Sequence, residues 1–454
     1  MNKFRFLTAG ESHGKCLTAI IEGIPAGFEI SSELINIDLK RRQSGYGRGD
    51  RMKIEADTVE ITSGIRFGKT LGSPITLVIQ NKDFENWQKI MSVNPEDFTE
   101  EKSFTKCRPG HADYSGSIKY NQKDLRNILE RSSARKTAIE VAVGSIAKQI
   151  LAQFDIKCSS RILQIGSLTA KSEDQRAEGQ EDKPVTVESG KWKVESLSSH
   201  APSPDGERIC ERTELSESGL RKDGAYCGEA TNAELLEQRA NSRQGWDGVI
   251  STENSEISQE QQTDKNLQPF NLSTNNFHSE IDRVKAMGDT IGGKFEVIFE
   301  NLPIGLGSFV HWDRMLDGKI AQSVMSIPAI KVVEIGQNPL GFLGSEYHDE
   351  MFLENGKIIH KTNNAGGIEG GMTNGEPIIV KAVMKPIPTM KKPLKTVDLA
   401  TMEESEAHFE RSDTCAVEAC SVVAEARIAC ILADEILQKF GGDSLEEILK
   451  NYRA

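Results

Sequence analysis

DLRNILERSSARKTAIEVAVGSIAKQILAQF (124–154) sets the fold class of this chain. Ala138, Ile139, Ala142, Val143, Ile146, Ile150 and Leu151 recur at helical spacing. They form an apolar face too wide for a surface helix, so the spacing predicts one long helix over 124–154 that lies inside the molecule. VEACSVVAEARIACILADEILQKF (417–440) repeats the pattern, with Ala, Val, Ile and Leu around much of its circumference. Helices this apolar pack against sheets or other subunits. Residues 73–79, 294–299 and 376–384 are rich in β-branched side chains and read as strands. The order of elements lacks the strict alternation of a doubly wound parallel sheet, which points to an α+β arrangement.

The first of these helices also opens the chemistry. Arg131-Ser132-Ser133-Ala134-Arg135 stands near its start, where unpaired backbone amides and the helix dipole favour an anion. Further arginines sit in short glycine-punctuated runs at 41, 42, 48 and 51, and again at 108. Guanidinium groups converging on one cleft repel each other unless an anionic ligand balances them, and their forked donors match phosphate and carboxylate. Two histidines fall among them. His13 lies in Gly-Glu-Ser-His-Gly (10–14) and His111 in Arg-Pro-Gly-His-Ala-Asp (108–113), each set among small residues. A protonated imidazole there can hand a proton to a departing phosphate. Taken singly, each arginine fits a solvated surface position equally well; the set points to a small, multiply charged anion.

Composition bounds the rest. The 454 residues carry a net charge of −13, and no basic face of the kind a nucleic-acid binder needs stands out. Residues 171–270 hold 21 Asp or Glu against 12 Lys or Arg, so this polar stretch carries most of the acidity. Its few apolar side chains cannot offset the entropy of ordering it, and it is expected to be a mostly disordered insertion. The eight cysteines show neither a Cys-x-x-Cys pair nor zinc-site spacing, so no metal is expected and a cytoplasmic location with reduced thiols is. No apolar run reaches the roughly 18 residues of a membrane span.

Nucleotide-binding fingerprints fail. There is no Gly-x-x-x-x-Gly-Lys-Ser/Thr loop, and Gly45-Tyr46-Gly47-Arg48-Gly49-Asp50 departs from the dinucleotide pattern at its last position. Asn363 to Gly371 instead packs four glycines into six positions, which fits either close approach to a ligand or a tight turn. Arg411-Ser412-Asp413 couples a cation to a carboxylate that could act as a base, or forms a surface ion pair.

Gly10–Gly14, Arg41–Arg51, Ser63–Pro74, Arg108–Asp113, Arg131–Thr137, Gly288–Gly293, Met325–Lys331, Asn363–Gly371 and Lys385–Thr389 together resemble, in order and spacing, the chorismate synthase family. The resemblance covers 1–165 and 277–454 and leaves the acidic stretch outside. It implies a β-α-β sandwich, a single α+β domain with central helices between antiparallel sheets, assembled as a homotetramer. It also implies 1,4-anti elimination of phosphate from 5-enolpyruvylshikimate 3-phosphate to give chorismate, with reduced FMN required but not consumed. His13 is then expected at the phosphate as proton donor, His111 beside the flavin, and Asp413 as the base. Arg42, Arg48, Arg51, Arg108, Ser133, Arg135 and Arg411 would hold the substrate. Arg131, Ser132, Ser133, Pro328, Ala329, Gly370, Lys385, Pro386, Ile387, Pro388, Thr389 and Arg411 would contact FMN.

Two departures stand out. Ser412 replaces the family's usual histidine, and Lys136 with Glu140 reverses the charges of a usual glutamate and arginine, as expected of a swapped i,i+4 helical pair. Some family members reduce their own flavin with NADPH. A flavin-dependent oxidoreductase using the same pocket is the competing reading. It would show steady nicotinamide oxidation without phosphate release.

Overall fold

Two antiparallel sheets carry the strand-forming segments. The computed structural model describes residues 3–49, 56–170, 274–410 and 412–454. The first sheet holds β1 (Arg5–Ala9), β2 (Cys16–Glu22), β3 (Glu60–Ser63) and β4 (Ile75–Gln80), in the order β1-β2-β4-β3. The second holds β5 (Lys157–Ile165), β6 (Leu168–Thr169), β7 (Gly293–Glu300), β8 (Ile330–Ile335) and β9 (Ile378–Met384), in the order β8-β9-β7-β5-β6. All pairings within both sheets are antiparallel. Each sheet buries alternate residues: Leu17, Ala19, Ile21, Ile75, Leu77 and Ile79 in the first, Phe295, Val297, Phe299, Ile378, Val380 and Ala382 in the second. That period of two turns one face of each sheet toward a common core.

Helices fill the space between. The main ones are α1 (Ser32–Gln43), α2 (Asp113–Tyr120), α3 (Arg126–Ser132), α4 (Thr137–Ala152), α5 (Thr274–Ala286), α6 (Leu316–Met325), α7 (Val417–Phe440) and α8 (Leu445–Arg453). α4 packs on β2 and β4 of the first sheet, α7 packs on β5 and β7 of the second, and the two helices pack on each other. The α+β sandwich read from the sequence is the fold, and it explains why both helices are apolar almost all round. Their crossing is tight at Gly144, where an added Cβ would lie 2.2 Å from the Cβ of Ala426.

The helix expected over 124–154 is instead two helices. Ser133, at φ −60° and ψ 143°, is extended and breaks the run between α3 and a short 3-10 turn, Ala134–Lys136, that leads into α4. Local chemistry accounts for the break. Ser132 Oγ donates back to Ile128 O at 2.7 Å, while Ser133 Oγ accepts from Arg135 N at 3.3 Å as a cap for the new start. The expected Lys136/Glu140 pair also differs, because Glu140 is buried against α7 and pairs there with Arg427 at 3.1 Å. The insertion expected at 171–270 lies outside the described residues. Among the described residues no helix is long and apolar enough to cross a membrane.

Candidate active site

The β1–β2 connection brings His13 into the interior. Gly10, at φ +108°, allows it, since a Cβ there would lie 2.3 Å from Cys16 O. Several donors hold the loop in place. Asn81 Nδ2, just past β4, donates to Glu11 O at 3.1 Å and Gly14 O at 2.7 Å. Arg131 donates to Gly10 O at 2.9 Å and Thr8 O at 2.8 Å, so its guanidinium supports the loop. His13 is buried, stacks on Trp87 at 3.9 Å, and its Nδ1 lies 2.8 Å from Glu130 Oε1. Ser12 Oγ donates to Ser133 Oγ at 3.2 Å, which sets the break in the helix beside the histidine loop.

Beside it lies a buried cluster of guanidinium groups. Arg42, from the last turn of α1, donates through Nε to Thr137 Oγ1 at 2.9 Å and through Nη2 to Ala134 O at 3.0 Å. Its neighbour Arg41 points elsewhere, to Asp38 and Glu425, because adjacent helical residues face different directions. Arg135 donates through Nη1 to both oxygens of Asp57 at 2.7 Å and through Nε to Asn81 Oδ1 at 2.9 Å. Arg48 Nη1 lies 3.3 Å from Asp413 Oδ2, and Gly49 N donates to Asp413 Oδ1 at 2.6 Å. Burial, with the charges of Arg48 and Arg135 and against those of Asp57 and Asp413, pulls Arg42 from 12.5 down to about 9. Among the described residues, Arg42, Arg48 and Arg135 face Asp57 and Asp413, with the charge of Glu418 also acting on Arg48. Arg42 Nη1 is buried without a hydrogen-bond partner among the described residues, as expected where an anion completes the set.

A second wall forms around His111. Asp113, fully buried, accepts from Arg108 Nε and Nη2 at 2.8 Å each and lies 2.6 Å from His111 Nδ1. Burial alone would raise this carboxyl, but the hydrogen bonds from Arg108 and His111 hold it far below the usual carboxylate range. The bond to Asp113 takes the Nδ1 proton and leaves Nε2 for a ligand. Lys385 Nζ donates to Gly110 O at 2.6 Å, Lys385 N to Ala329 O at 2.9 Å, and Arg108 Nη1 to Thr389 Oγ1 at 3.4 Å. Thr290 Oγ1 fixes the same run through Ile387 O at 2.7 Å. Pro328–Ala329, Lys385–Thr389 and the His111 loop therefore form one continuous wall. Ala329 is held in the left-handed region at φ +72°, a conformation that costs energy for a residue with a Cβ.

Arg126 joins the two histidine regions. It sits 3.5 Å from Glu130, 2.6 Å from Glu410, and over the rings of Trp87 and Phe104; Arg108 lies over that same Phe104 ring. Glu410 is half-buried, yet bonding from His408 and the charge of Arg126 hold it down at about 2. Of the four glycines at 366, 367, 370 and 371, three are filled by packing, whereas a Cβ on Gly370 meets nothing within 4 Å. The tight-turn reading thus fits three of them, while Gly370 is exposed with nothing packed on it. Its turn meets the start of α6, where Leu316 N donates to Gly371 O, while Pro328 follows the end of that helix, about 15 Å along. Ser132 spends its hydroxyl on its own helix. Arg51 and Arg411 lie outside the described residues.

Reading the sequence missed Glu130, Asp57, Asn81, Trp87 and Arg126 as parts of this site. Glu130 borders the recognised Arg131–Thr137 motif and carried a signal. Asp57 and Asn81 carried none, because only the folded chain sets them against Arg135.

Residues 4–437 match the family model for chorismate synthase. A chorismate synthase of Aquifex aeolicus is 47% identical over 454 residues, covering 99% of this chain and 96% of its own. One from Brevibacillus brevis is 45% identical, covering 99% and 97%. A solved crystal structure of chorismate synthase superposes with a TM-score of 0.61 at 36% identity, covering 99% of this chain and 96% of that one. With motifs, sandwich fold and arginine-lined site in agreement over the same residues, the chain belongs to the chorismate synthase family.

Proposed function

We propose that this chain catalyses the 1,4-anti elimination of phosphate and a ring hydrogen from 5-enolpyruvylshikimate 3-phosphate, giving chorismate, with FMN bound in its reduced form. The observation that carries the reading is the gathering of Arg48 and Arg135 around the buried Arg42, whose Nη1 has no hydrogen-bond partner among the described residues, set beside His13 and linked through Arg126 to His111. Such a pocket binds a phosphorylated, carboxylated substrate and grows more favourable as charge gathers on the leaving phosphate. When bound, reduced flavin supplies electron density that helps the allylic C–O bond break.

The protein's own groups do the rest. His13 gives a proton to the departing phosphate, and Arg42, Arg48 and Arg135 hold phosphate and carboxylates, with Ser133 adding a hydroxyl. Asp413 takes the ring hydrogen as a proton, positioned by Arg48 and the Gly49 amide. Arg108 orients His111 through Asp113, and that histidine borders the flavin wall built from Pro328–Ala329 and Lys385–Thr389. The Nε2 of His111, beside that wall, suits a flat, hydrogen-bonding ring system, and Gly370 joins the flavin set by motif alone. Arg51 and Arg411 join the substrate and flavin sets by motif. The chain is read as a cytoplasmic homotetramer, and a light-scattering mass four times that of the chain checks the assembly.

Anaerobic turnover with pre-reduced FMN tests the assignment. Phosphate and chorismate should appear one for one. Loss of a proton-transfer group typically costs about 10²–10⁴-fold, so His13→Ala and Asp413→Ala should each fall by about 10² or more. Unchanged rates in both variants, or nicotinamide oxidation without phosphate release, overturn it.

A further inference from the structure

We infer that Glu130 is a positioning residue that fixes the tautomer of His13, directing the Nδ1 proton inward so that Nε2 is the atom that exchanges a proton with substrate. The inference rests on the reading of His13 as proton donor and deepens it. Glu130 is the last residue but two of α3 and is buried. Its two oxygens divide their work over one residue: Oε2 accepts from the His13 backbone amide at 2.8 Å and Oε1 lies 2.8 Å from Nδ1. Ser12 N donates to the Glu130 carbonyl at 2.9 Å, so main chain and side chain of Glu130 both hold the loop.

Three neighbours remove the remaining freedom. Trp87 stacks on the imidazole with only 21° between planes, which fixes the ring's plane while Glu130 fixes its rotation within that plane. The positive charge of Arg126, its Nη1 3.5 Å from Glu130 Oε1, favours the carboxylate form of Glu130, and Glu410 in turn pairs with Arg126 at 2.6 Å. A ring pinned in plane and rotation presents one nitrogen in one direction. This is the requirement for proton transfer, whose efficiency depends on geometry before basicity.

The test is a double-mutant cycle on anaerobic phosphate release, using His13→Gln, Glu130→Gln and both together. Glu130→Gln should lower kcat about tenfold or more while KM stays within about twofold, the pattern of an interaction that acts on the chemical step. In the His13→Gln background the same change should cost little further, because a group that acts through a partner has nothing left to act on. Additive losses, or an unaltered rate in Glu130→Gln, overturn the inference. His13→Gln running at the unaltered rate overturns the proton-donor reading itself, and this inference with it. Histidine-selective 15N spectra of the unaltered chain read the tautomer without any variant. A proton on Nδ1 is expected; the Nε2–H tautomer alone overturns it.

Discussion

Asp57 shows how a site residue can be invisible in sequence and decisive in space. Its carboxylate takes two hydrogen bonds from Arg135 and lies 3.8 Å from Arg42, with its side chain fully enclosed. Removing one partner of a buried pair leaves the other charge uncompensated, which costs about 3–5 kcal/mol. Asp57→Asn should therefore lower the melting temperature markedly, and millimolar inorganic phosphate should restore part of the loss by taking the missing charge's place. A melt unmoved by the substitution would contradict the electrostatic reading. His13, His111 and Arg135 are legible because glycines and serines around each mark them locally. Asp57 follows no such marker, and its partner is 78 positions away. Ser412, where the family usually has histidine, donates to the carbonyl of Asp413 at 3.3 Å, and among the described residues the Asp413 side chain takes its support from Arg48 and Gly49.

The interruption at Ser133 and the crossing at Gly144 are consequences of packing between elements. An unbroken helix over 124–154 would satisfy hydrophobic periodicity, and the sequence pattern contains no Pro or Gly at the break. What divides it is the pair of serine hydroxyls, which compete for backbone groups and let Arg131 turn to the Gly10 loop while Arg135 turns to Asp57. Ser133→Ala removes the cap and should cost about 0.5–2 kcal/mol in urea unfolding. Gly144 is unfavourable in a helix by about 1 kcal/mol against Ala, yet the α7 backbone leaves no room for a methyl group. Gly144→Ala should thus destabilise, by about 1–3 kcal/mol of overpacking. A gain in melting temperature would show that the two helices separate more readily than their crossing suggests.

Across the whole molecule, the helical layer is tied together by a buried polar network as well as by its apolar faces. Glu425 of α7 accepts from Arg41 of α1, Lys148 of α4 and Ser160 of β5. Burial alone would raise its carboxyl, but Lys148 and Arg41 outweigh this and hold it at about 2, against 4.5 when unfolded. A carboxyl depressed in the folded state stabilises fully above the unfolded value and loses that contribution as pH falls toward the folded one. The unfolding free energy should decline between pH 4.5 and about 2, and Glu425→Gln should flatten the decline while lowering stability at neutral pH. Every site residue described lies outside 171–270, so a chain lacking that stretch should retain phosphate release; its loss would assign the stretch a part in turnover. By itself the sequence determined the α+β class, the apolar interior helices, and the local settings of the two histidines and the glycine-punctuated arginines. Each of these is written in local spacing and residue type, which elementary chemistry reads directly. Tertiary structure alone decided where the long helix breaks, which carboxylates balance the arginines, and how Arg126 joins the two histidine regions. Those outcomes depend on contacts between distant segments, and in a close-packed interior such contacts are fixed only once the elements have met.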